Sequence, residues 1–66
     1  MILISVLNLK EHKVAKLAAR LSGCQLYKSG QNIKQFETSM SNIHSARKLA
    51  TFFRQRGYQV TSEHII

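Results

Sequence analysis

The chain has 66 residues, with 10 Lys plus Arg against 3 acids, no Asp, and a formal net charge of +7. One domain, residues 1–66, is the ceiling at this length, and a chain of about 60 residues buries only about 60% of the surface its unfolded form exposes. Cys24 is the single cysteine, which excludes an internal disulfide framework and favours a reducing, cytoplasmic setting.

Residues 2–7 are apolar except Ser5, the pattern of a buried strand. The run is far short of the roughly 18–20 apolar residues that span a membrane, and it lacks a basic leader and a small-residue cleavage site. Neither a membrane span nor a signal peptide is expected. Asn8, with Glu11 three positions on, has the form of an N-cap and capping box and predicts a helix from about Leu9 to Ser22. Val14, Leu17, Ala18 and Leu21 give that helix an apolar stripe, and Gly23 is placed to end it. Cys24–Lys28 and Asn32–Thr38 read as two short strands, with Ser29-Gly30 between them as the hairpin signal. Ile33 and Phe36 fall on opposite faces of a regular strand, so either a bulge intervenes or one of them faces outward.

Ser41 or Asn42 then caps a second helix that runs to about Arg56. Its apolar face is Ile43, Ala46, Leu49, Ala50 and Phe53, with Phe52 only flanking it. Gly57 is the expected C′ residue, and Arg54 and Arg56 in the last turn suit the negative end of the helix dipole. Tyr58 to about His64 alternates and reads as the last strand.

The order β-α-β-β-α-β predicts a compact α+β domain of the ferredoxin-like, or split βαβ, kind, with a four-stranded antiparallel sheet and two helices on one face. The rival is a helix-turn-helix, with Val14–Gln25 as first helix and turn and Leu26–Phe36 as second helix. It would place Ser29-Gly30-Gln31-Asn32 mid-helix, where a central Gly costs about 1 kcal/mol against Ala and its neighbours favour turns.

Catalytic patterns are not apparent. Glu11, Glu37 and Glu63 are the only acids. General acid–base pairs and two-metal sites need carboxylates that converge, and nothing in this spacing brings them together. His12, His44 and His64 are one to a segment, without the short paired spacing of zinc ligands. Cys24 reads as a small apolar core residue rather than a nucleophile. Gly23, Gly30 and Gly57 are isolated, so no phosphate loop exists. No catalytic residue, metal or cofactor is expected, and the chain does not read as an enzyme.

Charge is the stronger signal. At about 100° per residue, Lys13, Lys16 and Arg20 fall within about 60° of one another beside the apolar face of the first helix, with Lys10 ahead of them. Arg47 and Arg54, seven apart, share a side of the second helix. This reading assigns eight of the ten cations to helices and makes the helical layer electropositive. Lys10, Lys13, Lys16, Arg20, Arg47 and Arg54 are therefore the candidate contacts for nucleic acid or an acidic protein surface.

Residues 4–9, Ile-Ser-Val-Leu-Asn-Leu, resemble the first-strand motif of RNA-recognition-motif domains at Ile4, Val6, Asn8 and Leu9. The resemblance implies the same topology. Ser5 stands where that family carries a base-stacking ring, and Phe36 is the only ring of the third strand. The first strand is apolar on both faces, so its Leu3 and Leu7 would face away from the helices, with Tyr27 or Phe36 joining them. That open sheet face is expected to contact another protein or a second copy in a homodimer. The expected function is a small basic non-catalytic module that contacts nucleic acid or a ribonucleoprotein through its helices. The alternative is a protein-binding inhibitor or adaptor that docks on a larger protein machine, of the anti-defence type found among phage and mobile-element accessory proteins.

Overall fold

A computed structural model describes residues 1–64. The elements are β1 (Ile2–Leu7), α1 (His12–Ser22), β2 (Gln25–Ser29), β3 (Ile33–Thr38), a single 3-10 turn (Met40–Asn42), α2 (Ile43–Gln55) and β4 (Gln59–His64). The strands form one antiparallel sheet in the order β2-β3-β1-β4, the arrangement of a ferredoxin-like α+β domain. Leu26 to Phe36, the second helix of the rival reading, is the β2–β3 hairpin. Among the described residues no helix is long and apolar enough to cross a membrane.

The core lies between the sheet and the helices. Ile2, Ile4 and Val6 point into it from β1, Phe36 from β3 and Val60 from β4. Above them sit Ala15, Ala18 and Ala19 of α1, and Ala46, Leu49, Ala50 and Phe53 of α2. Phe53 is the hub: Phe36 stacks on it at 5.9 Å, and Phe52 and Tyr58 meet it edge-on at 5.0 and 5.6 Å. A buried ring of this kind contributes about 1.5–3 kcal/mol by burial, a large share of what so small a domain holds.

Both helix ends follow the glycines. Gly23 and Gly57 take positive φ values of 82° and 86°, and their amides bond back to the Ala19 and Arg54 carbonyls, each at 3.0 Å. The helix starts differ from expectation. Asn8 is not a cap: it adopts the left-handed conformation at φ 64°, and its amide bonds the Asn32 carbonyl at 2.6 Å, closing the end of the β1–β3 pair. Asn tolerates that conformation better than most residues. The capping box is therefore absent. α1 starts at His12 with Glu11 at the N-cap, and neither Glu11 nor Asn42, the N-cap of α2, makes a side-chain cap bond.

The hairpin also differs. Gly30 does not use positive φ; its amide bonds the Ile33 carbonyl at 2.9 Å, leaving Gln31 and Asn32 as the turn. The bulge is in β2, not β3. Tyr27 is the extra residue between the Leu26–Phe36 and Lys28–Gln35 pairs, so β3 keeps a regular register with β1. Phe36 consequently faces the core and half-buried Ile33 faces the open side.

Candidate functional site

The face that α1 buries is the expected stripe moved along by one residue. Of the expected stripe, Ala18 is buried and Val14 is half-buried against the core, but Ala15, Ala19 and Ser22 are buried where Leu17 and Leu21 were expected. One residue is a rotation of about 100°. Phe36 and Phe53 fill the space above the sheet, and methyl-sized side chains let α1 settle close beside them. The Ser22 hydroxyl costs little there because it bonds the Ala18 carbonyl of its own helix at 2.7 Å. Leu17 and Leu21 are displaced outward and stand 55% and 66% exposed.

The displaced leucines lie among cations. Lys13, Lys16 and Arg20 are exposed on the outward side of α1. Leu21, Ala18 and Ser22 of α1 and Lys48, Leu49 and Phe52 of α2 line a shallow groove between the helices. The guanidinium of Arg56 covers the outer face of the Phe52 ring at 3.8 Å. Neither α1 nor α2 contains a carboxylate. The helical layer is thus an apolar seam of Leu17, Leu21 and Phe52 bordered by positive charge.

Arg47 and Arg54, grouped with the α1 cations by sequence, do not join them. Both line a groove over the β4 edge, where Arg54 donates to the Val60 carbonyl at 3.3 Å, while Arg47 also borders the outer surface of α2 beside Lys48 and Phe52. Lys10 is exposed in the loop before α1, and Arg56 caps the end of α2, so six rather than eight cations lie on the helices: Lys13, Lys16, Arg20, Arg47, Lys48 and Arg54. Lys34, in the hairpin, is 1% exposed. Its ammonium donates to the carbonyls of Gly30 and Lys10, tying the hairpin to the loop before α1.

The open sheet face is more polar than β1 alone suggests. Leu3 is only 8% exposed, because it is flanked by Glu37 on β3 and Glu63 on β4. Ser5 lies between Gln35 and Thr61, and Gln35 Nε2 donates to Ser5 Oγ at 3.1 Å. Leu7 is half-buried beside Ile33 and Gln59. Phe36 is absent from this face, being fully buried in the core, while Tyr27 is 55% exposed at the bulge. The broad apolar patch expected for a second copy is replaced by a polar sheet with small apolar islands. Where the RNA-recognition motif would have its stacking ring, the structure has a Ser–Gln hydrogen bond.

No protein-family model matches the chain, and no curated protein or solved structure matches it significantly.

The remaining candidates scatter. Glu37 and Glu63 do share the open face, which their separation in sequence conceals, but a full strand lies between them, about 10 Å at the backbone. Glu11 is at the start of α1 on the helical side. His12 Nδ1 is paired with the Ser29 hydroxyl at 2.9 Å, His44 is exposed on α2 and His64 ends β4. Among the described residues no three His, Cys, Asp or Glu side chains gather as a metal site. Cys24 is buried, and burial pushes its thiol above the ordinary range, with hydrogen bonds from Ser22 and Thr38 partly offsetting the rise. A thiol held neutral in this way is a poor nucleophile.

Sequence reasoning missed Leu17 and Leu21 as surface groups, while Lys48 and Arg56 were already among the helical cations and Phe52 beside the apolar face of α2. The signal that could have found the leucines is the second stripe on α1, built of small residues.

Proposed function

We propose that the chain is a small basic non-catalytic binding module whose helical layer docks onto an acidic protein surface. The observation that carries this reading is the exposure of Leu17 and Leu21, at 55% and 66%, within a border of Lys13, Lys16 and Arg20. A duplex or single-strand backbone is bound by cations and needs no aliphatic seam. A protein interface does: apolar side chains form its centre and charged groups its rim. Both helices lack carboxylates, so the partner's surface has to be acidic to avoid leaving these cations opposite like charge. An inhibitor or adaptor of a larger machine is the role that fits such a surface.

The test uses two variants of the intact chain. Leu17→Ser with Leu21→Ser removes the seam and keeps the charge. Lys13→Glu with Lys16→Glu and Arg20→Glu reverses the charge and keeps the seam. All five positions are exposed, so both variants should retain the far-UV spectrum of the parent. Affinity capture from the native host with nuclease present should yield a protein partner that both variants lose. Salt-sensitive binding of RNA or DNA oligonucleotides, unaffected by the serine pair and abolished by charge reversal, would establish the nucleic-acid reading instead.

A further inference from the structure

The two edges of the sheet are treated differently. The β2 edge is interrupted by the Tyr27 bulge and carries Lys28, two devices that discourage another strand from pairing there. β4 has neither. It runs in unbroken register with β1 from Gln59 to His64, its sequence QVTSEH contains no Lys or Pro, and among the described residues no strand lies on its outer side. Its outward backbone groups are a template for one more strand.

Beside this edge, on the helix side, lies a groove of about 470 Å³ between α2 and β4. Ile2, Ala46 and Ala50 contribute to its lining, and Met40 and Ile43 are exposed along it, at 45% and 37%. An added strand would send every second side chain toward the helices and into this groove. Arg47 and Arg54 line the same groove, where they outnumber its one carboxylate, Glu63, and Arg54 already donates to the Val60 carbonyl of the edge at 3.3 Å.

We propose that the β4 edge and its groove bind an extended acidic peptide segment as a fifth strand. The backbone edge supplies the hydrogen bonds, Met40 and Ile43 the apolar contact, and Arg47 and Arg54 the carboxylate recognition. Charge decides the occupant. A second copy paired through β4 would bring a +7 molecule against another, with the two arginines of each groove beside those of its twin. A peptide carrying carboxylates on its groove-facing side meets those arginines favourably. The site is separate from the seam of α1 and α2 and goes beyond the docking function proposed for it.

The probe is a capped eight-residue peptide with threonine at odd positions and alternating valine and aspartate at even ones, followed by amide shifts and hydrogen exchange on the intact protein. Saturable shifts and slowed exchange are expected in β4, from Gln59 to His64. Replacing aspartate by lysine in the peptide, or Arg47→Glu with Arg54→Glu in the protein, should weaken binding about tenfold, which is about 1.4 kcal/mol. Leu17→Ser with Leu21→Ser should leave it unchanged, which separates failure here from failure of the helical docking surface. Three results overturn the proposal: no β4 response at millimolar peptide, equal binding of the lysine peptide, or concentration-dependent dimerisation through β4 without peptide.

Discussion

The Arg56 guanidinium lies 3.8 Å from the centroid of the Phe52 ring, and its Nη1 reaches the Phe52 carbonyl at 3.5 Å. The ring is thereby sandwiched in function: one edge packs on Phe53 inside, and one face carries a cation outside. An exposed cation–π contact is worth about 0.5–1 kcal/mol. Arg56→Ala should lower unfolding stability by no more than that, read from urea denaturation. Phe52→Ala should cost more, about 1–3 kcal/mol, because it also strips a wall from the groove and a neighbour from Phe53. Equal costs for the two variants would place the stabilisation in the cation alone.

Lys34 is the buried cation of the hairpin, and its two acceptors are backbone carbonyls on separate loops. Lys34→Met keeps the stem and removes the donors. It should destabilise by about 1–3 kcal/mol, the range for leaving buried acceptors without a charged donor. Lys34→Ala should be worse, since the stem itself fills space beside Val6 and Ser29 on the strands flanking β3. A gain in stability for Lys34→Met would mean that burial of the charge outweighs its hydrogen bonds, as happens for some buried ions.

Gly57 and Gly23 make a matched pair. Both occupy left-handed φ, but a Cβ on Gly57 meets nothing within 4 Å, whereas one on Gly23 meets Ser45 Oγ at 3.1 Å. Gly57→Ala should therefore report the conformational cost alone, about 1 kcal/mol. Gly23→Ala should exceed it modestly, because Ser45 can rotate its hydroxyl away. Thermal or denaturant unfolding of the two variants checks the order, and a cheaper Gly23→Ala would contradict the packing argument.

Cys24 supplies the pH dependence. Burial raises its folded-state pKa above that of the unfolded chain. Below the unfolded value both states hold the proton, so the thiol's contribution to stability is fully present. As pH rises past about 8.5, the unfolded state ionises first, and the contribution is lost up to the folded pKa. The parent should lose stability across that window relative to Cys24→Ala, measured by urea unfolding at stepped pH. The thiol should also react with a maleimide far more slowly in the native protein than in denaturant. Parallel pH profiles for parent and variant would show that the burial does not perturb the thiol.

The sequence by itself determined the element order and hence the topology, because its signals are local. A six-residue apolar run, two glycines that stop helices through their own φ, and a turn between two short strands act within a few residues of themselves. The apolar face of α2 was legible for the same reason at Ala46, Leu49, Ala50 and Phe53, which are buried as the stripe predicts, whereas Ile43 at the start of the helix is 37% exposed. α1 has two overlapping stripes, and only the volume taken by Phe36 and Phe53 decides that the alanine stripe goes inward and Leu17 and Leu21 go outward. The burial of Lys34, the placing of Glu37 and Glu63 on either side of Leu3, and the separation of Arg47 and Arg54 from the α1 cations likewise depend on strand register and helix rotation. Those are properties of how distant segments pack. The candidate surface was therefore visible in sequence as a surplus of positive charge, while its apolar seam and its division into two grooves came from the packed structure.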